Sequence, residues 1–293
     1  MAAGNKIMQA FLITAYKDYE QLYELASYLG ENNKVYIHVD KSSSEITPEQ
    51  VQQLGRISNC TAVSDYAICW GSFTHVEAIL ELISLALDDE KVSYMHLITA
   101  QDLPVISLDE LERRFEKENR IYMDYMGPNG LPDTVKVRYR YYNWFVNKNV
   151  KNKWLWAVQY MTVVLQKILF IKRKGIGSFT SVYKGLVYIS MPRDAAAYVI
   201  DYCREEPGYL KSLRLCQVPE EFLFQTLFMN SYFKERIVKK ELRYMNWEKG
   251  DGSSPAYLDE SDYDAIKNGD YVFARKFDTT ISRKLKEKIM TDI

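Results

Sequence analysis

The sequence predicts an α/β fold: a mostly parallel twisted sheet with helices on both faces. Strand-length apolar runs alternate with helical patterns through the first 125 residues, the order that parallel strands joined by crossover helices require. The 293 residues, 47% hydrophobic and 26% charged, suffice to bury a sizeable core. No repeat, low-complexity tract or Gly/Ser linker divides the chain. It reads as one continuous domain over 1–293, regular from about 7 to 125 and less regular from about 126 to 280.

The elements follow in order. Gln9 to Tyr16 carries Ala-Phe-Leu-Ile-Thr-Ala, too short for a helix and suited to a buried strand. Leu22, Leu25, Ala26 and Leu29 give helical spacing from Asp18 to Leu29, and Gly30 ends it. Lys34 to Val39 is a second strand, closing on Asp40. Pro48 to Leu54 is a short helix and Cys60 to Val63 a third strand. After Trp70-Gly71-Ser72, a long amphipathic helix covers Thr74 to Leu87. Tyr94 to Thr99 is a fourth strand, ended by Gln101-Asp102-Leu103-Pro104. Ser107 caps a helix over Leu108 to Lys117, and Arg120 to Asp124 is again a strand. In the second half, Gly185 to Ser190 reads as a strand and Pro192 to Arg204 as a helix. A helix over Glu220 to Asn230 opens on Pro219 and two glutamates, as first-turn and dipole preferences favour.

Bulk chemistry narrows the function. A net charge of −1 argues against a general nucleic-acid binder. Aromatic content of 14%, with 23 Tyr, suits stacking on sugars or bases, although many rings belong to a core. Cys60, Cys69, Cys203 and Cys216 show neither CxxC nor zinc spacing. Cys60, Cys69 and Cys203 read as buried free thiols in a reducing compartment. The opening Met1 to Lys6 shows no secretory h-region, so a cytoplasmic protein is expected. Trp154 to Ile171 is mostly apolar between basic flanks, Lys148 to Lys153 and Lys172-Arg173-Lys174. Gln159, Gln166 and Lys167 interrupt it, which disfavours a spanning helix. Two readings of 154–174 stay open: a helix lying on an anionic membrane surface, and a core or dimer-interface helix.

Parallel sheets bind ligands beyond the carboxyl ends of their strands. The polar residues there are Tyr16, Asp40, Asp102 and Asp124, each equally able to serve as a cap or turn residue. Near the C-terminus, Phe273-Ala274-Arg275-Lys276-Phe277-Asp278 sets two cations between two rings. Such a cluster can grip a phosphate, and its plain alternative is a solvated charge pair. With the carboxylate pair Glu220-Glu221 it suggests group transfer from a phosphate-linked donor. The chain's one Asp-x-Asp, Asp262-Tyr263-Asp264, lies in a polar helical stretch and reads as a solvated face.

In this order the segments resemble the core-2/I-branching N-acetylglucosaminyltransferase family, glycosyltransferase family 14, from about Ala10 to Asp278. The matching pieces include Ile37-His38-Val39-Asp40, Trp70-Gly71-Ser72, Leu97 to Pro104, Val218-Pro219-Glu220-Glu221, Leu242 to Trp247, Ser254-Pro255 and Phe273 to Asp278. The chain looks like a short bacterial member. The resemblance implies a GT-A fold, a UDP-sugar donor, a glycan or lipid-linked glycan acceptor, inversion, and no divalent metal or other cofactor. It implies Glu221 as general base and Lys276 as the cation meeting the departing UDP. The family's second cation has no counterpart between Trp247 and Arg275, and Arg275 or Arg243 could fill that role. Asp40, Asp102 and Tyr16 are expected on the donor side. Trp247, Arg138, Arg140, Tyr141 and Glu220 are expected on the acceptor side, Glu220 as a cap or supporting partner. N-acetylglucosamine is the expected sugar, with xylose, also used in the family, as the alternative. A non-catalytic glycan-binding protein on a degenerate transferase fold is the competing class.

Overall fold

The computed structural model describes residues 8–146, 153–248 and 254–293. The opening Met1 to Lys6, most of the basic stretch from Lys148, and Ser253 lie outside the described residues. In chain order the elements are β1 (Met8–Ala15), α1 (Tyr19–Leu29), β2 (Lys34–Val39), α2 (Pro48–Leu54), β3 (Cys60–Val63), α3 (Phe73–Leu87), β4 (Val92–Thr99), β5 (Asp102–Pro104), α4 (Leu108–Phe115) and β6 (Ile121–Met123). There follow α5 (Asp133–Arg140), α6 (Lys153–Ile168), β7 (Ile189–Pro192), α7 (Arg193–Glu205), α8 (Pro207–Leu213), α9 (Glu220–Met229), β8 (Ile237–Val238), β9 (Arg243–Met245), α10 (Tyr263–Lys267), β10 (Phe273–Arg275) and α11 (Arg283–Asp292).

A seven-stranded sheet runs β3-β2-β1-β4-β7-β6-β8. Its first four strands are mutually parallel, β7 is antiparallel to both neighbours, and β8 is parallel to β6. The pleat divides β1 between two cores. Phe11, Ile13 and Ala15 pack with Leu22, Leu54 and Leu111 of α1, α2 and α4. Ala10 and Leu12 pack with Ile79, Val199 and Phe224 of α3, α7 and α9. Burial on both faces is why β1 reads as an unbroken apolar run. Ser72 caps α3 by accepting from the Thr74 N–H, and Ser107 caps α4 by accepting from the Glu110 N–H.

A second sheet has no counterpart among the elements expected from the sequence. Gln101 to Pro104 does more than end β4: Asp102–Pro104 forms β5, which pairs antiparallel with β10, while β10 pairs parallel with β9. Leu103, Leu258, Ala274, Phe277 and Leu285 form a third core against it. Other boundaries move as well. The expected strand over Gly185–Ser190 is displaced to β7, because the Gly185 N–H is taken by the carbonyl of Glu221, at 3.0 Å, instead of a sheet partner. The four thiols are free, but Cys60 and Cys69 are only half-buried. Cys60 opens the edge strand β3, which lacks a neighbour on one side among the described residues. Cys69 sits in the loop that follows.

Asp262 corrects the solvated-face reading of Asp262-Tyr263-Asp264. Its carboxylate is buried and accepts from Tyr244 Oη at 3.0 Å, Asn246 Nδ2 at 2.7 Å and the Asp259 N–H at 3.0 Å. Asp264, two residues on, is exposed. Two distant donors, Tyr244 and Asn246, converge on Asp262 beside its local bond to Asp259, which periodicity along one segment could not show. Asp262→Ala should therefore cost about 1–3 kcal/mol in urea unfolding, and Asp264→Ala should be silent. Equal stability of the two variants would contradict this account.

Candidate active site

Two turns bring the glutamate pair into place. Val218 has φ of +54° and Gly71 φ of +71°, and the Val218 N–H donates to the Gly71 carbonyl at 2.9 Å. Glycine occupies the left-handed region freely, whereas a β-branched residue there is strained. Directly after Val218, Pro219 leads into α9, almost every residue of which is buried. The helix is thus a fixed platform, with Glu220 and Glu221 in its first turn.

The two glutamates face different neighbours. Glu221 is half-buried, and its Oε2 takes Lys184 Nζ at 3.0 Å and Arg138 Nη1 at 3.2 Å. Burial raises the Glu221 pKa above its ordinary value, Lys184 and Arg138 oppose that rise, and Glu220 adds to it. Such a carboxylate is more basic than a free one. Glu220 is buried, with Oε1 3.4 Å from His75 Nδ1. Its Oε2 is enclosed with no hydrogen-bond partner among the described residues.

A second cluster centres on Asp102, whose side chain is fully enclosed. One oxygen meets Arg243 Nε; the other accepts from the Thr99 N–H at 2.7 Å, Thr99 Oγ1 at 2.8 Å and Arg275 Nη1 at 3.2 Å. Burial alone would raise the Asp102 pKa, but Arg243, Arg275 and Thr99 outweigh it and hold the carboxyl below its ordinary value. Arg243 also reaches Glu241 at 2.8 Å. Tyr188 covers both guanidiniums, its ring centre 3.9 Å from Arg243 and 4.9 Å from Arg275. Arg243 is buried and Arg275 half-buried. The Nε of Arg275 is enclosed and has no hydrogen-bond partner among the described residues.

Lys276 follows β10 immediately, with Nζ 4.5 Å from the ring centre of Tyr257. Lys17 approaches the same ring at 5.9 Å and that of Tyr16 at 6.0 Å. Tyr16 is exposed at the carboxyl end of β1. The Phe277 N–H donates to the Gln101 carbonyl at 2.9 Å, and Gln21 Nε2 to that of Ala100 at 2.8 Å. The hexapeptide is thus laced to the turn after β4, and to α1 through Gln21 Nε2, which also reaches the Phe277 carbonyl at 3.4 Å. Asp40 ties together the loop after β2. Its Oδ1 accepts from the Ser42 N–H, Ser42 Oγ and the Ile68 N–H, each within 2.9 Å.

One segment links these clusters. Lys184 touches Glu221 and Tyr188 covers the arginines, four residues apart. A fully extended chain spans at most about 3.3–3.6 Å per residue, so the two backbone positions are within about 14 Å. Of the expected acceptor residues, Arg138 meets Glu221. Arg140 is exposed, with its guanidinium 5.9 Å from the Tyr139 ring centre. Tyr141 faces Lys167 Nζ at 5.8 Å. Trp247 is exposed just after β9. Lys184, Tyr188, Lys17, Tyr257 and His75 are not singled out by the sequence; only the isolated charge of Lys184 in an apolar stretch signals one of them. Among the described residues no three of His, Cys, Asp and Glu are grouped to hold a metal ion.

A family model described as Core-2/I-Branching enzyme matches residues 9–268. Among curated proteins, the chain is similar to the xylosyltransferase sqv-6 of Caenorhabditis briggsae, at 22% identity over 233 residues, 78% of this chain and 27% of that protein. The chain therefore spans about a quarter of the length of this relative. Among solved structures it is similar to mouse xyloside xylosyltransferase 1, with a TM-score of 0.37 and 9% identity over 91% of this chain and 96% of that one. It is also similar to the WbbM bifunctional glycosyltransferase, with a TM-score of 0.39 and 12% identity over 94% of this chain and 46% of that one.

Proposed function

Because this chain belongs to the Core-2/I-Branching enzyme family, and so is a glycosyltransferase, we propose that it moves a sugar from a UDP-sugar to a glycan acceptor by metal-independent inversion on a GT-A-type fold. The observation that supports this best is the pair of clusters held apart by the Lys184–Tyr188 segment. One holds a carboxylate of raised pKa, and the other delivers two adjacent cations. Glu221 takes the proton of the acceptor hydroxyl as its oxygen attacks the anomeric carbon. The bond to the UDP oxygen breaks in the same displacement, and the leaving pyrophosphate gains negative charge. Lys276 meets that charge, and a preorganised cation there stabilises the transition state more than the ground state. One carboxylate suits an inverting transfer, since double displacement needs a nucleophile as well.

For the second cation the geometry favours Arg275 over Arg243. Arg243 is enclosed and shared between Asp102 and Glu241. Arg275 is more open, and its buried Nε still lacks an acceptor among the described residues. Asp102 then acts through the arginines, not by touching the nucleotide. Trp247 offers an exposed indole face to the acceptor sugar. The sugar is N-acetylglucosamine in this reading. Xylose is the alternative, favoured by the activity for which the nematode relative is named. A cytoplasmic location completes the proposal.

Lys276→Ala tests it. Transfer should fall by roughly 10²–10³ and UDP affinity should weaken in parallel, with Lys276→Arg recovering part of both. Turnover should survive excess EDTA. Intact UDP affinity and kcat in Lys276→Ala would make the hexapeptide architectural, and strict Mn²⁺ dependence would end the metal-free reading.

A further inference from the structure

Helix α6 is turned inside out. Its inward face carries Gln159, Val163 and Gln166, all buried. Gln159 accepts from the Phe145 N–H at 3.2 Å and donates to Asn143 Oδ1 at 3.0 Å. Gln166 accepts from the Tyr142 N–H at 2.8 Å and donates to the Tyr142 carbonyl at 3.0 Å. The outward face carries Met161, Leu165, Ile168 and Leu169, spaced to form one stripe. Each is more than half exposed, and Phe170 at the helix end is 91% exposed. A bulky residue with φ of +55° is uncommon, yet Phe170 holds that conformation and stands in solvent. This is a continuous apolar face of the kind that marks an interaction surface.

Charge decides what covers it. From Thr134 to Arg193 the sequence holds no Asp or Glu, while Lys and Arg recur throughout. Lys153, Lys167, Lys172 and Lys174 border the stripe, the first two on α6 and the last two just beyond it. A second copy docked face to face would set cation against cation with no carboxylate from residues 134–193 to relieve it. An anionic lipid surface supplies both halves of the match, acyl chains for the stripe and headgroup charge for the rim. No helix of the described residues is long and apolar enough to cross a membrane, so the contact lies in the interface plane.

We propose that α6 and residues 169–174 dock the protein onto an anionic bilayer. The clamp by Gln159 and Gln166 fixes this face to residues 142–145, the continuation of α5, which carries Arg138. If Glu221 is the base, as proposed above, docking sets the acceptor side beside the lipid headgroups, where a lipid-linked glycan would present its sugar. Membrane binding itself does not depend on that reading.

The test is co-sedimentation of the full chain with phosphatidylcholine vesicles, with and without phosphatidylglycerol. Binding should appear with the anionic lipid and weaken with salt, since surface charges are screened within about 8 Å at physiological ionic strength. Ile168→Glu with Phe170→Glu should lower partitioning at least ten-fold, with circular dichroism and UDP affinity unchanged. Lys172→Ala with Lys174→Ala leaves the stripe intact and should weaken binding by about five-fold per lysine removed. Absence of vesicle binding at low salt would overturn the proposal. So would binding that is indifferent to both variants, or a dimer by light scattering that the glutamate variant dissolves. Loss of transfer activity with vesicle binding intact would count against the function proposal only.

Discussion

Glu221→Gln should lower kcat by roughly 10²–10⁴ and leave UDP affinity within a few-fold of the wild type. The substitution keeps the size of the side chain and removes its basicity. Lys184 and Arg138 can still approach the amide oxygen, so the local packing should survive. The pH profile gives an independent check. In the proposed mechanism transfer requires the ionised form, and the folded pKa lies above its ordinary 4.5. The acid limb of kcat/KM should therefore fall at higher pH than for a free carboxylate. Lys184→Met removes a cation that favours ionisation. It should push that limb further up, so activity at a fixed mildly acidic pH drops more than at pH 8. Activity of Glu221→Gln near that of wild type would remove Glu221 from the mechanism. An unmoved limb in Lys184→Met would mean that another group controls it.

The second large effect is on stability. Asp102→Ala should destabilise the protein by about 3–5 kcal/mol, the usual cost of stranding the partner of a buried ion pair. Here two guanidiniums lose a carboxylate, and the enclosed Arg243 keeps only Glu241. The pH dependence has a definite sign. The folded pKa of Asp102 is depressed below its ordinary 3.8, so its contribution is present above that value and fades as pH falls through the lower folded pKa. Urea midpoints of wild type and variant should differ most at neutral pH and converge in strong acid. A difference below about 1 kcal/mol at pH 7 would mean that water or other groups already neutralise the arginines. A loss of UDP affinity alongside the stability loss would support Asp102 as the anchor of Arg275.

What could be read from the sequence divides by distance along the chain. The first four parallel strands, and α1, α2, α3 and α4, lie within a residue or two of their expected limits, because local signals mark them: apolar runs, helical spacing, and cap or breaker residues. The small sheet does not, since β5, β9 and β10 have three residues each. Three residues carry no period, and their partners lie far off in sequence. The same limit governs the site. Glu220 and Glu221 are distinguished in the sequence only by resemblance, and in the structure by His75 on one side and Lys184 on the other. Asp102 and Arg243 are 141 positions apart. The aspartate is therefore visible as a strand-end carboxylate, and its burial between two arginines is not. The stripe on α6 is visible as hydrophobicity, but which face points inward depends on hydrogen bonds from two glutamines to residues of another segment.

Strand β10 has both edges occupied, by β5 on one side and β9 on the other. A central strand cannot swing as a lid does, because rotation breaks two ladders at once. The cations at its end therefore act as a fixed anvil. Any segment that closes over the proposed nucleotide must come from elsewhere, and amide protons at Phe273 and Ala274 should exchange among the slowest in the chain whether or not UDP is added. Length matters as much as sequence here. Successive side chains on a strand face opposite ways, so a one-residue slip of β10 against β5 and β9 would turn Arg275 away from the face on which it meets Asp102. Natural variation in this strand should therefore preserve that register even where residue identity drifts.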